Sequence, residues 1–220
     1  EIYMDKRIEV RYTPKEEYDR AGSRDAIIRE LDSDIVIFMV QTAIPQNRYL
    51  VEKLTEPFKE ERTAVVYGRH MTDDECSPIE CCVRQFNYPP KGMKKSLQDT
   101  RKLGIRTFFN SNVCAAYRKG WQTVYAPEAE ILYYRNDNLR ELWKRNFDIG
   151  VAHAEHPEMI ENTKPGKEGM RLVRVTSALL KQNHMEEYLG EVAARSAVRY
   201  LAYHFGKHYA HLPEHFVRKC

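Results

Sequence analysis

The stretch SDIVIFMVQTAIPQN (residues 33–47) runs through six consecutive apolar residues, 35–40, then Gln41, Thr42 and Ala43, and then reaches Pro45. A continuous apolar run of this length, rich in β-branched residues and bounded by polar ones, reads as a strand buried on both faces, as in parallel sheets. Gln41 and Thr42 then stand at its carboxyl end, where open α/β sheets present groups to ligands. Beyond it, Pro45 is expected to open a helix on which Leu50, Leu54 and Phe58 recur four apart. TAVVY (residues 63–67) reads as the next buried strand. Two buried strands joined by an amphipathic helix make a βαβ unit with a right-handed crossover.

Working outward, IEVRY (residues 8–12) alternates and ends at Thr13-Pro14, which predicts a half-buried strand. Residues 23–31 are helical in composition. Ser77-Pro78-Ile79-Glu80 combines a hydroxyl N-cap, proline at the first helical position and glutamate at the third, so a helix should start there and stop before Pro89. Residues 91–102 form a charged stretch expected to be a covering loop. Residues 107–117 return to β character around a polar Asn110-Ser111-Asn112 step. Residues 139–149 predict a helix with Leu142, Trp143 and Phe147 on one face, and the helical pattern dominates from 166 to 212.

At 220 residues, 42% hydrophobic and 30% charged, the chain suits one main globular domain. The apolar run is far short of the ~20 residues of a spanning helix, and no leader-like segment opens the sequence, so a cytoplasmic protein is expected. Five cysteines, two of them adjacent, make neither a disulfide framework nor a paired zinc motif. Residues 164–220 hold 10 Lys and Arg against 5 Asp and Glu, which leaves residues 1–163 slightly acidic within a total of +3. No nucleic-acid recognition motif accompanies that basic tail, so no nucleic-acid partner is expected. His204, His208, His211 and His215 line one helical face. With Arg195, Arg199 and Lys207 beside them and no carboxylate to complete a shell, they read as a basic face and not as metal ligands.

Taken in order, YDRAGSRD (18–25), SDIVIFMVQTAIP (33–45), VVYGR (65–69), FNYP (86–89), TFFNSNVCAAYR (107–118), NFDIGVAHAEHP (146–157) and AVRYLAYHFGKHYAHLP (197–213) resemble family 2 glycosyltransferases of the bacterial rhamnosyltransferase-like branch. The resemblance implies an α/β fold of GT-A type, with a mostly parallel sheet flanked by helices. It divides the chain into a catalytic domain over 1–163 and a basic helical extension over 164–220. It implies transfer of a sugar, rhamnose by analogy, from a nucleoside diphosphate donor to a lipid-linked or polysaccharide acceptor. Asp19, Ser23, Arg24, Gln41, Thr42 and Arg135 fall at donor-side positions, and Ser111 and Asn112 at acceptor-side positions.

Departures from that pattern are specific. The family usually has aspartate at the position of Thr42, and a His-Ser-His-Asn step where this chain has Tyr133, Tyr134, Arg135 and Asn136. Hydroxyls and phenols are poor ligands for the manganese or magnesium ion typical of the family, so no metal ligand is assigned. The family's opening strand-helix unit has no counterpart here. Nor has the Gly-Gly-Phe turn with its Glu-Asp pair, expected between Arg118 and Lys119, so no catalytic base is assigned. A non-catalytic homologue that keeps the fold as a scaffold is the alternative. Residues 191–212 are expected to rest on an anionic inner-membrane surface through Leu201, Phe205, His208 and Leu212, flanked by Arg195, Arg199 and Lys207, or else to pack that stripe against the catalytic domain or a second subunit.

Overall fold

The computed structural model describes residues 5–14, 19–161, 163–213 and 217. Tyr18, His215 and Cys220 lie outside the described residues. The chain divides into two compact units, Glu1–Val36 and Ile37–Cys220.

In the first unit, residues 8–12 are exposed and form no strand among the described residues, contrary to their alternating pattern. The apolar positions of the alternation, Ile8, Val10 and Tyr12, are all exposed, Tyr12 at 88%. Helix α1 (Arg20–Glu30) follows. Its start is capped by Asp19, whose Oδ2 accepts from the Gly22 amide at 2.7 Å.

Among the described residues the sheet has six strands. They are β1 (Val36–Met39), β2 (Ile44–Pro45), β3 (Thr63–Met71), β4 (Met93–Lys95), β5 (Cys114–Tyr117) and β6 (Gln122–Leu132). The order is β1-β5-β3-β6-β2, with β4 also on β6. β3 and β6 are parallel, whereas β2 and β4 pair with β6, and β5 with β3, antiparallel. The sheet is therefore mixed α/β and only partly parallel, which corrects the expectation of a mostly parallel sheet. Chain connectivity explains the difference: only four residues, 118–121, join β5 to β6, and they cross the start of β3. Arg118 closes that link, donating to the carbonyls of Phe58 and Glu60 at 2.8 Å each, and its amide donates to Ala64. Pro45 enters β2 at the sheet margin, where a residue without an N–H is tolerated. The helix expected there starts later, as α2 (Leu50–Thr55), and buries Leu50 and Leu54.

A bulge sets the direction in which β6 leaves the sheet. The register passes from Gly68↔Ala126 to Arg69↔Glu130, so residues 127–129 are looped out. Pro127 has no N–H for the ladder, and a Cβ at Gly68 would overlap the Ala129 carbonyl. Helix α3 (Pro78–Asn87) begins as its sequence predicts, with the Ser77 side chain accepting from the Glu80 amide. The charged stretch 91–102 folds into β4 and the start of the short α4 (Thr100–Leu103).

The helices α5 (Leu139–Glu155), α6 (Pro165–Gln182) and α7 (Leu189–Lys207) complete the second unit. Ile79, Cys82 and Val83 of α3 pack with Leu180 of α6 and Val192 of α7 in one buried cluster. α5 and α7 approach so closely that a Cβ on Gly206 would overlap the Phe147 carbonyl. No helix among the described residues is long and apolar enough to cross a membrane.

Candidate functional site

The parallel pair β3 and β6 defines one edge of the sheet at its carboxyl ends, the place where such sheets take ligands. β3 leaves at Met71, whose carbonyl accepts from the Tyr133 amide at 3.1 Å. Because β5 runs antiparallel to β3, its start lies at the same edge, with Ser111 and Asn112 just before it. The Val40 amide donates to the Val113 carbonyl at 2.8 Å and brings Gln41 and Thr42 to that edge. The pairing Ile44↔Leu132 sets Thr42, two residues earlier, against the segment that begins at Tyr133. Gln41, Thr42, Ser111, Asn112 and Arg135 thus share one edge. Gln41, Thr42, Asn112 and Arg135 are exposed, and Ser111 is buried. Asp19, Ser23 and Arg24 belong to the first unit, on or beside α1.

Beneath the edge lies a buried polar chain that the sequence reading did not single out. Ser111 Oγ is 2.7 Å from His70 Nε2, and Arg84 Nη1 is 3.0 Å from His70 Nδ1. Arg84 in turn pairs with Glu80 one helical turn earlier. The His70 ring stacks on Tyr88 at 3.9 Å, with Tyr133 edge-on at 5.2 Å. Arg84 can only donate, so Nδ1 is an acceptor and the ring proton sits on Nε2, where it is given to Ser111. Burial, with the Arg84 charge beside it, lowers the His70 pKa to about 3. The pair resembles a serine-histidine dyad in composition only: the nitrogen facing the hydroxyl is already protonated and cannot serve as its base. The sequence signal was modest, namely an i,i+4 Glu80/Arg84 pair and a histidine closing the β3 run.

The segment after β6 is pinned at three successive residues. Asn136 accepts from the Ser77 amide at 3.0 Å and donates to the Glu75 carbonyl at 3.1 Å, tying the segment to the start of α3. Asp137, 5% exposed, takes Arg135 Nε at 3.0 Å and Arg145 Nη1 at 2.8 Å. Its backbone carbonyl accepts from Arg195 Nη1 at 3.0 Å. Asn138 caps α5 in a reciprocal box with Glu141.

The structure turns Arg195 towards the protein, where it also pairs with Glu191 at 2.6 Å, and its side chain is only 14% exposed. Arg199, one turn later, is half-buried. Its guanidinium is held below its usual pKa by burial first and by Arg145 next. Both arginines follow the helical phase of buried Val192 and Ala202, so they do not supply the basic flank expected for a membrane face. Tyr200, Leu201 and Phe205 keep exposed faces, and Phe205 touches the Trp143 ring at 5.7 Å.

The donor set at the edge does not suit a divalent cation. Thr42 and Tyr133 offer hydroxyl and phenol oxygens, and of the nearby carboxylates Asp137 is already shared by two guanidiniums and Asp73 is bonded to Tyr134. The described residues hold no group of three or more His, Cys, Asp or Glu arranged for a metal. Two open clefts lie elsewhere. One of about 700 Å³ is lined by His153, Glu158 and Lys207 among others, and one of about 360 Å³ by Lys53, Lys94 and Glu128 among others. Neither contains a residue of the edge.

No protein-family model matches the chain, and no solved structure matches it. The chain is similar to an O-antigen chain rhamnosyltransferase of Salmonella typhimurium (RfbN), at 29% identity over 94% of this chain and 76% of that protein. It is also similar to an O-antigen chain rhamnosyltransferase of Salmonella anatum (WbaN), at 29% identity over 90% and 72%. The two alignments, 238 and 227 residues, are longer than the chain itself, so each relative carries residues within the matched region that have no counterpart here.

Proposed function

We propose that the protein is a rhamnosyltransferase-like glycosyltransferase of O-antigen-type polysaccharide synthesis, moving a deoxyhexose from a nucleoside diphosphate donor to a lipid-linked or polysaccharide acceptor. The observation that carries the proposal is the similarity to two rhamnosyltransferases along nine-tenths or more of the chain. The shared edge of Gln41, Thr42, Ser111, Asn112 and Arg135 supports it, being where an α/β sheet takes ligands. In this reading Arg135 meets the diphosphate, and Gln41 and Thr42 offer an amide and a hydroxyl to the donor. Asp19, Ser23 and Arg24 are assigned to the phosphate side by the resemblance of their segment. Asn112 faces the acceptor, with the Ser111 hydroxyl accepting from the amide of the residue after it, Val113. Positive charge at the edge stabilises the departing diphosphate, the part of glycosyl transfer that developing anionic charge makes most dependent on the protein. The exposed Tyr200, Leu201 and Phe205 of α7 are offered to a membrane surface that carries the acceptor.

A scaffold reading is favoured by one observation, that Thr42 and Tyr133 stand where the resembled family has its aspartate and histidine metal ligands. The deciding experiment incubates the protein with a panel of nucleoside diphosphate rhamnose donors and a lipid-linked oligosaccharide, and follows the acceptor by mass spectrometry. Addition of one deoxyhexose supports the transferase; donor binding without transfer leaves the scaffold.

A further inference from the structure

Five guanidiniums, those of Arg84, Arg135, Arg145, Arg195 and Arg199, gather where α3, α5 and α7 meet the segment after β6. Three carboxylates answer them: Glu80 on Arg84, Asp137 on Arg135 and Arg145, and Glu191 on Arg195. Arg199 is left over. Among the described residues it makes no ion pair and no side-chain hydrogen bond, although Arg145, Arg195, Glu80 and Asp137 all act on it. Arg84 is also incompletely satisfied, since its buried Nε has no acceptor. A half-buried unpaired guanidinium beside two others raises the energy of the folded chain, because desolvation and like-charge repulsion both oppose it. Such an arrangement is retained at a site that an anion completes.

We infer that Arg199, with Arg145 and Arg135, binds the diphosphate group of a diphosphate ester at the edge of the sheet, resting on the transferase reading above for the identity of that ester. The excess of two positive charges, five against three, matches the roughly two negative charges of a diphosphate diester, and guanidiniums suit its oxygens by paired donation. Two molecules in such a reaction carry this group: the nucleoside diphosphate donor and a lipid diphosphate that bears the acceptor. α7, whose arginines the sequence placed on a membrane-facing flank, thereby contributes to the site through its inner face.

The test titrates the whole protein by calorimetry with inorganic pyrophosphate, uridine diphosphate and farnesyl diphosphate, using wild type, Arg199→Gln and, as a control, Arg174→Gln on exposed α6 surface. Arg199→Gln should weaken binding of the diphosphates by about tenfold or more while raising the melting temperature of the ligand-free protein, and Arg174→Gln should do neither. Tighter binding of uridine diphosphate than of pyrophosphate identifies the donor as the source; tighter binding of farnesyl diphosphate identifies the lipid. Unchanged affinity in Arg199→Gln, or a lowered melting temperature with intact binding, overturns the inference, whether or not the wild type transfers sugar. Binding that depends on Arg199 in a protein without transfer activity keeps the site and removes the transferase reading.

Discussion

Arg84 donates through Nη1 to His70 Nδ1 at 3.0 Å, and this one hydrogen bond sets what Ser111 can do. With Nδ1 occupied as an acceptor, the ring proton points at Ser111 Oγ, 2.7 Å away. Ser111 is therefore held as an acceptor inside the protein, unable to act as an activated nucleophile. Ser111→Ala should cost about 1–3 kcal/mol of stability by leaving the buried Nε2–H unpaired, and a serine-directed fluorophosphonate should not label the wild type. Labelling at Ser111, or urea midpoints equal in the two proteins, would contradict this geometry.

Acid should destabilise the fold through the same histidine. The His70 pKa falls from 6.5 to about 3 on folding, so between those values the unfolded chain binds the extra proton. Stability is then fully present above pH 6.5 and is lost as pH falls towards 3, by on the order of a few kcal/mol. Urea unfolding followed from pH 7 to pH 4 should show this slope, and His70→Gln should flatten it; an equal slope in both proteins refutes the assignment.

Lys95 works in the opposite range. It is 2% exposed, bonded to the carbonyls of Arg106 and Phe109 and seated over the Tyr67 ring at 5.4 Å. Burial, then the Arg106 charge, lowers its pKa from 10.5 to about 8. Between pH 8 and 10.5 the unfolded chain again binds more protons, so stability should rise with pH across that window. Lys95→Met should abolish the rise in a melting-temperature series, and a rise that survives the substitution would point to another group.

The crossing of α5 and α7 should tolerate no side chain at Gly206. A methyl group there meets the Phe147 carbonyl, which is helix backbone and cannot swing away. Gly206→Ala is expected to cost about 1–3 kcal/mol despite the better helix propensity of alanine. A gain in thermal stability would mean that the helices sit farther apart than described.

Donor recognition should depend on arginine and hardly on metal. Arg135→Ala should weaken nucleoside diphosphate binding by roughly 1.5–3 kcal/mol, whereas chelator and millimolar-range manganese should give similar wild-type affinities. A large gain with manganese would show that oxygen ligands other than those at Thr42 and Tyr133 assemble on the donor.

What the sequence conveyed was local. Ser77, Pro78 and Glu80 specify the start of α3 within four residues, and the TAVVY run is apolar enough to announce β3 alone. The ends of buried runs also located Gln41, Thr42 and Ser111 at the sheet edge. Strand direction was not legible, because it follows from the four-residue link after Arg118 and from the bulge at Pro127, neither of which alters the apolar pattern. Residues 8–12 show the reverse failure, an alternation that forms no strand among the described residues. Arg195 and Arg199 looked like a solvated flank because the partner that turns Arg195 inward, the Asp137 carbonyl, lies 58 residues away.

Asp137 joins the exit of β6 to α5 and α7 through Arg135, Arg145 and Arg195 at once. Those three elements should accordingly open as one cooperative unit, their amides exchanging with solvent at a common rate. Substituting Arg135 and Arg145 together should also change stability by an amount different from the sum of the single changes, since removing either leaves the other a less contested Asp137 carboxylate. A heritable change at one helix would then be felt, and could be compensated, at the other.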